Sequence, residues 1–362
     1  MAENSLARSL SSLASTVGVS IAGDSSARAF ADIATKYGIG SLCGFSALIC
    51  QKALLVGNPA ITNVELVAFN PVASRHVKIT WNSIPGILYG IYYQSTITGA
   101  WTLADTVIAA GATCSWTDDG TVVGTHPTVG VSRFYKVMVG TNFQSSDVVG
   151  IYNVSLAVAT DQLIAIPFEP YSQDISAVIG TQLTGSDVEG TADRIQTWNA
   201  STSAWRYFWL KTDGKWYEGS GEVLVNLSNG VGYYANIRAV SGQTLSLVGK
   251  VPTTNKSFSI LKTINLCGNP FPWTYTVVPT GDQMNLRASG LTGALGEISS
   301  DRVWKMISGA YHFYWYRKTL NKWREGGLDV TWTINPGEGL WLEIRNNAFT
   351  WTLPKPYTNP PN

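Results

Sequence analysis

Three histidines, four cysteines, one matched pair of glutamates and fourteen tryptophans are the side chains whose chemistry could define this chain. His76, His126 and His312 fall in three different local settings, so a shared metal site is not expected. No H-E-x-x-H or paired C-x-x-C spacing accompanies them. The sequence has neither a nucleophile elbow of the G-x-S-x-G type nor a Walker loop. Asp118-Asp119-Gly120 has the look of a calcium loop but lacks oxygens at further alternate positions, which favours a hairpin turn. Glu218 and Glu325 each stand between a Trp-led turn and a glycine. Two carboxylates across a cleft would suit glycoside hydrolysis. Their equivalence in two copies of one motif argues instead for a structural bond, to a backbone N–H or the nearby lysine. Cys43 and Cys50 are seven residues apart, about 10 Å along one helix and too far to bridge. The pairing of Cys43, Cys50, Cys114 and Cys267 is otherwise open, with buried free thiols the simplest expectation. No catalytic residue, metal or cofactor is expected.

The elements that position these residues fall into four segments. Residues 1–57 are rich in Ala, Ser and Leu, contain no Trp, and carry helical spacing, for example at Leu6, Leu10 and Leu13. Asp24-Ser25-Ser26 offers N-caps for a second helix bearing Phe30 and Ile33. A third stretch carries Leu42, Phe45, Leu48 and Leu54. Stripes this apolar need cover. It would come either from the chain's own β modules or from a neighbouring subunit. The opening MAENSLARS lacks the basic start and apolar core of a signal peptide. The uncharged run Tyr37–Ile49 is too short to span a membrane and is closed by Lys52. It reads as an internal helix in preference to a late export signal.

From 58 to 145 the pattern switches to period two, with turns between the runs. His76-Val-Lys-Ile-Thr-Trp81 and Leu88-Tyr-Gly-Ile-Tyr-Tyr93 read as strands around a Pro-Gly turn. Arg133-Phe-Tyr-Lys-Val-Met-Val139 reads as a closing strand. These runs resemble a fibronectin type III module of the kind found in bacterial secreted proteins. The resemblance implies a β-sandwich with Trp81 in its core.

Segments 146–252 and 253–362 repeat one another at a spacing of about 105 residues. Asp193-Arg-Ile-Gln-Thr-Trp-Asn199 returns as Asp301-Arg-Val-Trp-Lys-Met-Ile307, and Trp205-Arg-Tyr-Phe-Trp-Leu-Lys211 as Tyr311-His-Phe-Tyr-Trp-Tyr-Arg317. Lys215-Trp-Tyr-Glu-Gly219 returns as Lys322-Trp-Arg-Glu-Gly326. Asn229-Gly-Val-Gly-Tyr-Tyr-Ala-Asn-Ile-Arg238 returns as Pro336-Gly-Glu-Gly-Leu-Trp-Leu-Glu-Ile-Arg345. The openings Leu163–Phe168 and Leu266–Phe271 agree loosely. The pair resembles a β module of predicted secreted proteins from Verrucomicrobia- and Planctomycetes-type bacteria. That resemblance implies location and architecture but no reaction. The chain departs from it in carrying Ala-Ile-Pro at 165–167, where Ala-Asn-Pro is usual.

The expected fold is therefore mainly β: a fibronectin-like sandwich, two tandem β repeats and a helical N-terminal arm. Charged residues are only 14% of the chain and the net charge is +1, which gives no field to hold nucleic acid. Near-zero net charge favours association. The expected function is that of a non-enzymatic structural protein, extracellular or at the cell surface. It would be a homo-oligomer or polymer that builds a filament, sheath or layer through its arm. The alternative is adhesion to a surface polysaccharide. Trp209/Trp315 and Trp216/Trp323 are matched between copies and should fill cores. The unmatched Trp198, Trp273, Trp304, Trp332, Trp341 and Trp351 are then the surface candidates for stacking on sugar rings.

Overall fold

The computed structural model describes residues 58–128, 132–140, 143–145, 147–158 and 161–358. The expected helical arm, with Leu6, Leu10, Leu13, Phe30, Ile33, Leu42, Phe45, Leu48, Leu54, Cys43 and Cys50, lies outside the described residues. Those that are described are mainly antiparallel β. Alternating sequence produces eight strands up to residue 156: β1 (Ile61–Leu66), β2 (Val77–Asn82), β3 (Leu88–Gln94), β4 (Thr102–Ile108), β5 (Thr113–Asp118), β6 (Ser132–Val139), β7 (Phe143–Gln144) and β8 (Val149–Leu156). Strands β1-β2-β5 form one sheet, and β8-β6-β3-β4 lie in the other. Period two puts Val77, Ile79 and Trp81 on one face of β2, and all three are fully buried against Tyr89, Ile91, Tyr135 and Val137. Trp81 is thus a core residue.

The two repeats build the same sheet twice. The first contributes β9 (Asp161–Ala165), the single helical turn α1 (Ile175–Val178), β10 (Arg194–Asn199), β11 (Ala204–Leu210), β12 (Trp216–Glu218), β13 (Gly221–Glu222), β14 (Gly232–Asn236) and β15 (Gln243–Lys250). The second contributes β16 (Lys256–Ile260), β17 (Ile264–Gly268), β18 (Tyr275–Val277), α2 (Leu286–Ser289), β19 (Arg302–Ile307), β20 (Ala310–Arg317), β21 (Lys322–Glu325), β22 (Leu328–Asp329), β23 (Trp332–Ile334), β24 (Gly339–Glu343) and β25 (Phe349–Leu353). The first sheet runs β13-β12-β11-β10-β14-β9, and the second β22-β21-β20-β19-β24-β17. Position for position, these orders are identical.

Each six-stranded sheet is accompanied by an antiparallel pair made from the strand before it and the strand after it. In the second repeat this pair is β16 with β25. In the first it is β8 with β15, in register from Leu156 opposite Gln243 to Val149 opposite Lys250. Strand β8 therefore has two roles: it belongs to the sandwich sheet through β6 and opens the first repeat through β15. The boundary expected at 145/146 falls between β7 and β8, inside that continuous sheet.

The repeats meet about a pseudo-twofold axis. The Ala165 N–H donates to the Gly337 carbonyl at 2.8 Å, and the equivalent Gly268 N–H donates to the Gly230 carbonyl at 2.9 Å. Backbone bridges Ile164–Glu338 and Val231–Cys267 obey the same symmetry. Such close approach requires residues without side chains. A Cβ on Gly232 would sit 2.4 Å from the Cys267 carbonyl oxygen, and one on Gly268 would sit 2.4 Å from the Ala165 Cβ.

Candidate functional site

The duplicated aspartates Asp193 and Asp301 make the same bonds in both copies. Asp193 is fully buried. One of its oxygens accepts from the Thr184 N–H at 2.8 Å, and the other from the Arg238 and Ala239 N–H groups at 2.7 and 3.0 Å. Asp301 repeats this with Thr292, Arg345 and Asn346 at 2.7, 2.8 and 3.1 Å. The carboxylate ties the long loop ahead of β10 or β19 to the end of the neighbouring strand in the sheet, β14 or β24. Glu218 is held by Arg206 through two bonds of 2.9 and 2.7 Å, and Glu325 by the His312 Nδ1 at 2.6 Å. The partner is a cross-strand side chain, not the backbone N–H or neighbouring lysine expected from sequence. Lys215 and Lys322 bond further on, to Glu222 and Asp329.

In the sandwich, Asp118 is buried and accepts from the Arg133 guanidinium and the Tyr135 hydroxyl, both at 2.6 Å. It also caps Gly120, so this Asp-Asp-Gly run is a turn tied to the core. His76 and His126, expected apart, bring their rings within 5.6 Å. Among the described residues no group of three His, Cys, Asp or Glu side chains is placed to hold a metal. Cys114 and Cys267 are free thiols and do not pair with each other. Burial pushes the Cys267 thiol up to about 12.

Of the tryptophans expected at the surface, the structure gathers three. Trp198, Trp304 and Trp341 line one open depression of about 500 Å³, together with Trp205, Tyr311, Ile264 and Glu343. It lies beside the pseudo-twofold axis, and both repeats contribute. The Trp198 ring is 5.4 Å from Trp205 and 6.0 Å from Trp341, each edge to face. Trp205 stands at 89° to Trp341 with centroids 5.6 Å apart. Such contacts contribute about 0.5–1.5 kcal/mol each beyond area burial. The indole N–H groups fix the rings. Trp198 donates across the repeats to the Ile264 carbonyl at 2.8 Å, Trp341 to the Tyr234 hydroxyl at 2.7 Å, and Trp304 to Glu343 Oε2 at 2.9 Å. Tyr234 and Tyr311 are hydrogen-bonded through their hydroxyls. Burial raises the Tyr311 phenol above its ordinary value. Glu343 is held by Arg345 at 2.7 Å and lies 3.8 Å from Arg302. The wall is aromatic and prepositioned, with one paired carboxylate at its edge. Its chemistry is stacking and hydrogen bonding.

The remaining surface candidates go elsewhere. Trp332 and Trp351 are buried, Trp332 stacked on Tyr314 at 5.0 Å and 8°. Their equivalents in the first repeat are Val225 and Leu245, also buried. An unmatched tryptophan thus replaces an aliphatic core residue at these two positions. Trp273 is half-buried and packs on the second repeat's core. Trp205 and Tyr311, equivalents of each other, were missed as site residues. The signal was available in the sequence, because an aromatic pair preserved at one strand position lies on the face opposite Phe208 and Tyr314.

No family model matches the chain and no curated protein matches it. Among solved structures, the FN1–FN3 domains of chicken CNTN1 align with 83% of this chain and 98% of that one. The identity is 10% and the TM-score 0.18, a likeness too slight to carry any argument.

Proposed function

We propose that this chain is a non-enzymatic structural protein of the cell surface or extracellular matrix. It would assemble into a filament, sheath or layer through the apolar segment 1–57. One observation carries the reading: the buried aspartates that recur in both repeats, Asp193 and Asp301, are committed to the same internal bonds twice. Buried carboxylates whose oxygens are filled by backbone N–H donors are engaged by the scaffold. The bacterial secreted modules that the repeats resemble support this location. Negative-stain microscopy and sedimentation of the full chain, beside a chain lacking 1–57, provide the test. Ordered assemblies are expected only from the full chain. A strictly monomeric full chain, unchanged by the truncation, would refute it.

A second reading, adhesion to polysaccharide, is favoured by the single depression that holds Trp198, Trp304 and Trp341. Titrating polysaccharides should then quench or shift tryptophan fluorescence, and Trp304→Ala should abolish the change. No response to any polysaccharide would remove this reading.

A further inference from the structure

A duplicated protein carries its own control: equivalent corners of the two copies can be compared residue by residue. Two corners flank the pseudo-twofold axis, each where the first strand of one repeat crosses the glycine turn of the other. At one, the Phe258 ring lies over Gly230, which has φ +82°, so that a Cβ there would be 2.2 Å from the ring. At the other, Val154 and Tyr152 lie over the equivalent Gly337, which has φ +74°. The registers make Val154 the counterpart of Phe258, because Val154 pairs with Leu245 and Phe258 with that residue's equivalent, Trp351. Val154 lines a cleft of about 800 Å³ between β8, β9, the β19–β20 turn and the 335–339 loop.

The same corner differs in charge. Thr197 and Val231 of the first repeat become Lys305 and Glu338 in the second. Lys305 is 8% exposed, and its ammonium donates to the Thr333 carbonyl at 2.6 Å and lies 2.9 Å from Glu338. Asn335 completes the group with two bonds to Glu338, at 2.9 and 3.0 Å. Lys305 is buried and Glu338 is about a third exposed, so the pair stands in the wall of the cleft. The cleft wall therefore carries a charged pair where the first repeat has Thr197 and Val231. The volume falls in the range of roughly 300–1,000 Å³ typical of small-molecule sites.

We propose that this cleft binds a short neutral oligosaccharide. Asp161 and Glu338 line it, and the ammonium of Lys305 is already engaged, so an anionic ligand is disfavoured. The hydroxyl-bearing residues Ser155 and Ser308 and the apolar residues Val154, Leu163 and Met306 all line it. That mixture suits a sugar, with hydroxyls around its edge and C–H groups on its faces. The site is separate from the aromatic depression and does not rest on it.

The test uses the full chain with neutral tetrasaccharides of β-glucan, α-glucan, xylan and mannan, followed by saturation-transfer NMR and calorimetry. Val154→Phe restores the plug of the other corner, and Lys305→Thr with Glu338→Val restores its uncharged pair. At least one tetrasaccharide should bind, with affinity reduced at least tenfold in Val154→Phe and in the double variant, and unchanged in Trp304→Ala. If Val154→Phe fails to fold, the double variant decides alone. Absence of binding by all four sugars, or binding that survives both alterations, overturns the proposal. Binding lost in Trp304→Ala and kept in the cleft variants also overturns it, and assigns the sugar to the aromatic depression.

Discussion

At the scale of single residues, the polar side chains of this protein are mostly architectural. Asp193 and Asp301 each accept three backbone N–H bonds while fully buried. Alanine at either position would leave those donors unsatisfied, and each unsatisfied buried group costs about 1–3 kcal/mol. Asp193→Ala and Asp301→Ala should therefore each destabilise the protein by about 3 kcal/mol or more, measured by chemical denaturation. A loss below about 1 kcal/mol would contradict the pinning role. Cys267 makes a second expectation. Its thiol is pushed up to about 12 by burial, so below about pH 10 it remains protonated and unreactive. Iodoacetamide should leave it unlabelled in the native protein and label it fully in denaturant, as read by mass spectrometry. The spacing of the Asp-Arg motif was legible in sequence, and so was its duplication. Its bonding was not, because the partners Thr184 and Arg238 are fixed only once the loop closes over the strand.

At the scale of elements, two features control the assembly of the body: glycines where the repeats touch, and one strand with two allegiances. A side chain on Gly232 would strike the backbone of Cys267, which cannot rotate away. Gly232→Ala should cost about 1–3 kcal/mol through overpacking. Gly296→Ala, with open space around its Cβ, should be close to neutral by comparison. Equal effects in denaturation would mean that the repeats separate easily. The glycine-rich block before β14 and β24 was readable as a turn into a strand. Its second purpose, close approach to the other repeat, depends on a contact between chain-distant residues that no local pattern records.

At the scale of the whole molecule, β8 joins the sandwich to the first repeat, and the backbone bonds around Gly230 and Gly337 join the two repeats. Elements that share a strand and a buried interface melt together. Scanning calorimetry should therefore show one cooperative transition for the body formed by residues 58–358. Three resolved transitions would show the modules to be independent. Sequence alone determined the β class and the duplication, because alternation and repeated motifs are local and periodic signals. The core place of Trp81 followed from the resemblance to a fibronectin type III module. Only the tertiary structure decided that Trp332 and Trp351 are core while Trp198, Trp304 and Trp341 share a surface, since a tryptophan on a strand reads the same on either face. It alone decided the pseudo-twofold and the difference between its two corners. Those arise from packing between chain-distant residues, such as Phe258 over Gly230 at one corner and Val154 with Tyr152 over Gly337 at the other.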